Sequence, residues 1–151
     1  MGDPTLKVQV HEQMTAALRA GEKVRLGALR MLAASITNRE KEVMRELSDD
    51  EVREVAAKEV KKRSEAADAF REAGRTELAA NEEAEREVLV PFAPERLPDD
   101  AVDALVDEAI AATGATSMKE MGKVMGIVMG KAKGQVDGGI VQEKVKARLG
   151  G

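Results

Sequence analysis

Lysine is the side chain best placed to do chemistry in this sequence, and the chemistry it offers is the holding of anions. Lys119, Lys123, Lys131 and Lys133 recur through residues 118–133, each a flexible point charge suited to phosphate. Gly122, Gly126 and Gly130 lie among them every four residues, as do Met118, Met121, Met125 and Met129 at intervals of three, four and four. On a helical wheel of about 100° per residue with Met118 at zero, the methionines and Ala132 fall between about 300° and 20°. Val124 and Val128 adjoin them near 240–280°, the glycines fall at about 40°, 80° and 120°, and Lys119 and Lys123 at about 100° and 140°. One helix here would carry an apolar methionine face, a bare glycine ledge and a lysine edge. Each interior glycine forgoes roughly 1 kcal/mol of helix propensity against alanine, so the ledge calls for something that approaches closely. Two occupants answer that need: a neighbouring helix, or a phosphate backbone flanked by cations. The candidate phosphate-contact residues are Lys119, Gly122, Lys123, Gly126, Lys131 and Lys133. Gly138 joins them, because the helix starting there offers backbone amides to an anion.

Other chemistry is scarce. The chain has no Cys, Trp or Tyr, two phenylalanines (Phe70 and Phe92), and His11 as its one imidazole. Without cysteine or a second histidine the common zinc sites cannot be built, and no metal or cofactor is expected. A Ser-His-Asp relay would have to use His11, and no nucleophile elbow surrounds Ser35, Ser48, Ser64 or Ser117. No catalytic residue is assigned. Glu82-Glu83-Ala84-Glu85 reads as a charged helix face paired with nearby arginines, and Lys61-Lys62-Arg63 as a solvated one. No strand precedes a glycine cluster, so a loop that cradles a nucleotide is not expected. The near absence of aromatics removes the stacking platforms that hold single-stranded bases. A net charge of −4 also argues against a general polyanion binder. Any nucleic-acid role must therefore rest on a local patch. Residues 117–151 supply one, with seven basic side chains against three acidic, whereas residues 1–94 hold 16 and 19.

The elements that would position this patch are all helices. Leu6, Val10, Met14 and Leu18 predict a helix over residues 5–20 that stops at Gly21. Leu26, Leu29, Leu32, Ala33 and Ile36 predict a second over about 22–46. Ser48-Asp49-Asp50-Glu51 is a capping box that opens a third helix, running to Ala73 before Gly74, and a fourth spans about 76–90. Three of the four prolines then fall within residues 91–98, where missing amide hydrogens prevent a continuous helix. Beyond them Asp99 is expected to cap a helix over 99–112 that ends at Gly114. Ser117-Met118-Lys119-Glu120 is a second capping box that starts the striped helix. Asp137 opens a last one with Ile140, Val141, Val145 and Leu149 facing inward. The expected fold is all-α: an N-terminal domain of about four helices (residues 1–93) joined by a Pro-rich linker to a small three-helix C-terminal domain (residues 94–151). Neither a membrane span nor an N-terminal secretory signal is read, and the cytoplasm is the expected compartment.

Several of these stretches resemble one family. Lys23-Val24-Arg25-Leu26-Gly27-Ala28-Leu29-Arg30, Asn38-Arg39-Glu40, Leu47-Ser48-Asp49-Asp50-Glu51-Val52 and Phe70-Arg71-Glu72-Ala73-Gly74-Arg75-Thr76-Glu77-Leu78-Ala79 are similar to the N-terminal part of YqeY-like proteins. The block from Met118 through Lys133-Gly134-Gln135-Val136-Asp137-Gly138 resembles the tail domain that these proteins share with the B subunit of aspartyl/glutamyl-tRNA amidotransferase. The chain thus resembles the GatB/YqeY family along essentially its whole length. Phe92 and Ala93 depart from the family pattern, where tyrosine and leucine are common, and so does Gly130, where a proline often stands. The resemblance implies two all-helical domains and a module that engages tRNA or another structured RNA, without the catalytic parts of the amidotransferase. It also implies a family label of carbon–nitrogen ligase with glutamine as amido donor. A helical protein–protein adaptor that docks on an amidotransferase or a tRNA synthetase is the other reading.

Overall fold

The structure is a computed structural model that describes residues 2–150, and no strand occurs among them. Seven α-helices follow in order: α1 Leu6–Ala20, α2 Lys23–Val43, α3 Asp49–Glu72, α4 Thr76–Leu89, α5 Asp99–Thr113, α6 Met121–Lys131 and α7 Gly138–Leu149. Short 3₁₀ turns at Val90–Phe92 and Met118–Glu120 precede α5 and α6. The packing divides the chain into two compact units, Met1–Pro94 and Glu95–Gly151.

In the first unit α1 pairs with α2 and α3 with α4, while α2 also lies against α4. Their shared core holds Val10, Leu29, Leu32, Ile36, Val52, Leu89 and Phe92. The helix ends follow from side-chain chemistry. Thr5 accepts from the Val8 N–H at the start of α1, and Gly21 closes it at φ 71°, a left-handed conformation that glycine adopts without a Cβ penalty. Ser48 and Glu51 form the capping box of α3, and the Leu6 N–H donates to Asp49 Oδ1 at 3.0 Å, which ties the start of α1 to the start of α3. α2 stops three residues earlier than its sequence suggests: Met44 turns the chain at φ 57°, and the Leu47 N–H donates to Glu40 Oε2 at 3.0 Å. α4 likewise gives way to the 3₁₀ turn that contains Pro91.

One departure in this unit concerns Lys61-Lys62-Arg63. Lys61 and Lys62 are exposed, but Arg63 is buried, with Glu59 buried one turn before it. Both lie on the stripe Val52, Ala56, Glu59, Arg63, Ala67 that faces the core. Arg63 Nη2 lies 3.3 Å from Glu59 Oε2 and donates to Met31 Sδ, and its Nε lies 3.2 Å from Glu85 and 3.8 Å from Glu82. The Glu82–Glu85 cluster is thus paired with arginine across helices, and Glu83 pairs with Arg71 of α3 in the same way. Burial, with the neighbouring Glu82 charge, raises the Glu85 pKa, although Arg63 opposes the shift.

In the second unit α5, α6 and α7 pack on one another around Val102, Val106, Ala109, Val124, Val128, Val141 and Val145. The segment before α5 is fixed to the α6–α7 loop: the Leu97 N–H donates to the Gln135 carbonyl at 3.0 Å, and Gln135 Nε2 donates to the Glu95 carbonyl at 3.1 Å. Asp99 lies in the first turn of α5 and does not cap it, since Pro98 holds that position. Gly114 ends the helix at φ 68°. On α7, Val141 and Val145 are fully buried and Leu149 partly so, but Ile140 is 44% exposed and faces outward.

Candidate functional site

The striped segment is not one continuous α-helix. The capping box forms at its start: Glu120 Oε2 accepts from the Thr116 N–H at 2.6 Å and the Ser117 N–H at 3.3 Å. These bonds, with help from Lys123, hold the Glu120 carboxyl below its ordinary pKa. The Glu120 N–H donates back to the Ser117 carbonyl at 3.1 Å, so the first turn is 3₁₀ and α6 begins only at Met121. A 3₁₀ turn winds by about 120° per residue where an α-helix winds by about 100°. Met118 is therefore rotated off the methionine face and is 39% exposed. Val124 and Val128, both fully buried, form the centre of the core-facing stripe, and Met121, Met125 and Met129 flank it half-buried.

The three glycines form an open ledge, and no described residue of their own unit covers it. Gly122, Gly126 and Gly130 are exposed, and a Cβ built on any of the three meets no heavy atom within 4 Å. Close packing by a neighbouring helix, one of the two occupants read from the sequence, is thus not its use within this unit. Lys119 and Lys123 are exposed beside it.

The remaining candidates separate. Lys131 is engaged by Glu108 of α5 at 3.0 Å. Lys133 is exposed in the turn after α6. Gly138 is half-buried, and a Cβ there would lie 3.8 Å from Met129 Cε, an ordinary packing contact. At the start of α7 the Gly139 N–H is already engaged, since it donates to Asp137 Oδ1 at 2.7 Å. A carboxylate at that position also repels phosphate. Much of the basic excess of residues 117–151 is met within the unit, since Lys144 and Arg148 pair with Asp99, Asp103 and Asp107 of α5. Among the described residues of 117–150, these ion pairs leave Lys119, Lys123, Lys133 and Lys146 with no carboxylate at salt-bridge distance, although Lys123 acts on Glu120 from farther off. Lys146 is a cation that the sequence reading did not single out.

The profile of the Yqey-like protein family matches residues 7–149. The chain belongs to that family. No curated protein matches it. In this family member His11 is exposed on α1. Ser35 donates to Glu59 at 2.8 Å, Ser48 caps α3, and Ser64 accepts from Arg86 at 3.4 Å. Among the described residues no group of three or more His, Asp or Glu side chains is arranged to hold a metal ion, and no helix is long and apolar enough to cross a membrane.

Proposed function

We propose that this YqeY-like chain is a non-catalytic accessory protein that holds tRNA or another structured RNA. Its contact face is the lysine-edged ledge of α6, with Lys119 and Lys123 on phosphates and Gly122 and Gly126 allowing the sugar-phosphate backbone to come close. The observation that carries this reading is the open ledge: three exposed helical glycines that no described residue of their unit covers, beside two exposed lysines, Lys119 and Lys123. A helix that forgoes this much propensity without internal packing gains from an external partner that needs bare backbone. Two phenylalanines in 151 residues, with no Trp or Tyr, favour shape and phosphate recognition over base stacking. The likeness of residues 118–138 to the amidotransferase tail domain supports tRNA as the RNA. Lys133 extends the patch, while Lys131 contributes less because Glu108 already holds it.

A second reading, a protein–protein adaptor that docks on an amidotransferase or a tRNA synthetase, draws on the exposed apolar side chains Val8, Leu18 and Met44 of the first unit. Binding of a fluorescent tRNA by the full chain separates the two. Lys119→Glu/Lys123→Glu is expected to weaken it by about tenfold or more, as phosphate contacts are lost. Lys131→Glu is expected to do less. A folded Lys119→Glu/Lys123→Glu protein that binds tRNA as tightly as the parent overturns the assignment.

A further inference from the structure

The second unit carries two matched rows of opposite charge. Asp99, Asp103 and Asp107 repeat every four residues along one face of α5, a spacing of about 6 Å per step. Lys144 and Arg148 repeat at the same interval on α7, and the rows interlock. Lys144 Nζ lies 2.9 Å from Asp99 and 2.8 Å from Asp103, while Arg148 Nη2 lies 3.0 Å from Asp103 and its Nε donates to Asp107. Asp103 serves both cations, which hold its carboxyl below the ordinary range. Lys131, at the end of α6, is held by Glu108 of the same α5.

The fold does not depend on these pairs to keep α5 against α7. Val102 and Val106 of one helix and Val141 and Val145 of the other share the buried core. The outer carboxylates are largely in water, with the Asp99 side chain 79% and the Asp107 side chain 63% exposed, whereas Asp103 is 37%, Arg148 28% and Lys144 16% exposed. The valine core, which no change in the carboxylate row touches, keeps the helices packed.

We propose that Lys144 and Arg148 are a latent phosphate-contact pair that the carboxylate row of α5, standing in for a nucleic-acid backbone, keeps masked from RNA in the parent protein. This rests on the reading of the unit as an RNA-binding module and adds to it a built-in restraint on affinity.

The test uses the full chain and a tRNA transcript, with affinity measured as a function of salt. Asp99→Asn/Asp103→Asn/Asp107→Asn releases the pair, since Lys144 is held by both Asp99 and Asp103. Glu95→Gln/Asp100→Asn/Glu143→Gln makes the same change in net charge at exposed carboxylates. At about 0.7–0.9 per phosphate neutralised, two new contacts steepen the log–log salt slope by about 1.4–1.8 in the first variant; the control keeps the parental slope. Lys144→Gln/Arg148→Gln is expected to be silent in the parent and to return the released variant to the parental slope. A released variant with the slope of the control, or a parent weakened by Lys144→Gln/Arg148→Gln, overturns the mask. Asp99→Asn/Asp103→Asn, which frees Lys144 alone and is expected to give about half the change, replaces the triple variant if circular dichroism shows that to be unfolded. A parent that binds no tRNA overturns the RNA reading itself, whereas a parent that binds while both variants share its slope overturns only the mask.

Discussion

Replacing Gly126 with alanine should make the protein more stable and its RNA binding weaker. Gly126 sits in the middle of α6, with a full turn of helix on either side. An added Cβ meets no heavy atom within 4 Å, so the substitution has no steric cost. What remains is propensity, worth about 0.8–1 kcal/mol in favour of alanine at an exposed helix interior. Gly122 lies in the first turn of α6 and Gly130 in the last, where propensity counts for less, so Gly122→Ala/Gly126→Ala should gain about 1.5 kcal/mol. For a domain of 60–100 residues about 1 kcal/mol moves the midpoint by roughly 4–8 °C. Urea unfolding followed by far-UV circular dichroism reads the gain directly, and hydrogen exchange of the α6 amides assigns it to that helix. The same methyl groups stand where the RNA backbone is proposed to approach, so tRNA affinity should fall as stability rises. A loss of stability on Gly126→Ala would refute the open ledge, and a gain of stability with unchanged tRNA affinity would refute its use as a contact surface.

Three further outcomes follow from the first unit. Met44 adopts a left-handed conformation at φ 57° while 89% exposed, so Met44→Gly should stabilise by about 1 kcal/mol in urea titrations, as strain is relieved and no packing is lost. Arg63→Ala leaves Glu59, Glu82 and Glu85 facing one another without their shared cation, and should cost about 3–5 kcal/mol by the same assay, whereas Lys62→Ala on the exposed side should change little. Bonds from Arg45 and Ser48 lower the Glu51 pKa to about 2. Its contribution is then full above the unfolded value of about 4.3 and is lost as pH falls towards 2. The stability advantage of the parent over Glu51→Gln should accordingly be present at pH 7 and shrink progressively below about pH 4.

Helices and their ends were largely legible in the sequence, because the signals are local. Gly21, the Ser48–Glu51 box and Gly114 act within a few residues of themselves, and the structure uses each of them. The wheel for residues 118–131 erred at its origin. It assumed α winding from Met118, while the Glu120 carboxylate, in bonding back to Thr116 and Ser117, fixed a tighter first turn. The core then centred on Val124 and Val128, small β-branched residues that fit where α5 and α7 close in. Arg63 was misread because a run of three basic residues suggests solvent, although the spacing Val52, Ala56, Glu59, Arg63, Ala67 already placed it on the inner face. The pairing of Lys144 and Arg148 with α5 joins residues 41–45 positions apart, which no rule of neighbouring turns can detect. The equal four-residue intervals of the two rows were the available clue.

The central claim, that the lysine-edged ledge of α6 holds the phosphates of a structured RNA, is tested most directly by the salt dependence of tRNA binding to the full chain, parent against Lys119→Glu/Lys123→Glu. A parent whose affinity falls linearly with salt on a log–log plot, and a folded variant whose slope is shallower by about 1.4–1.8, is the predicted result. Equal slopes and equal affinities for the two proteins would contradict it.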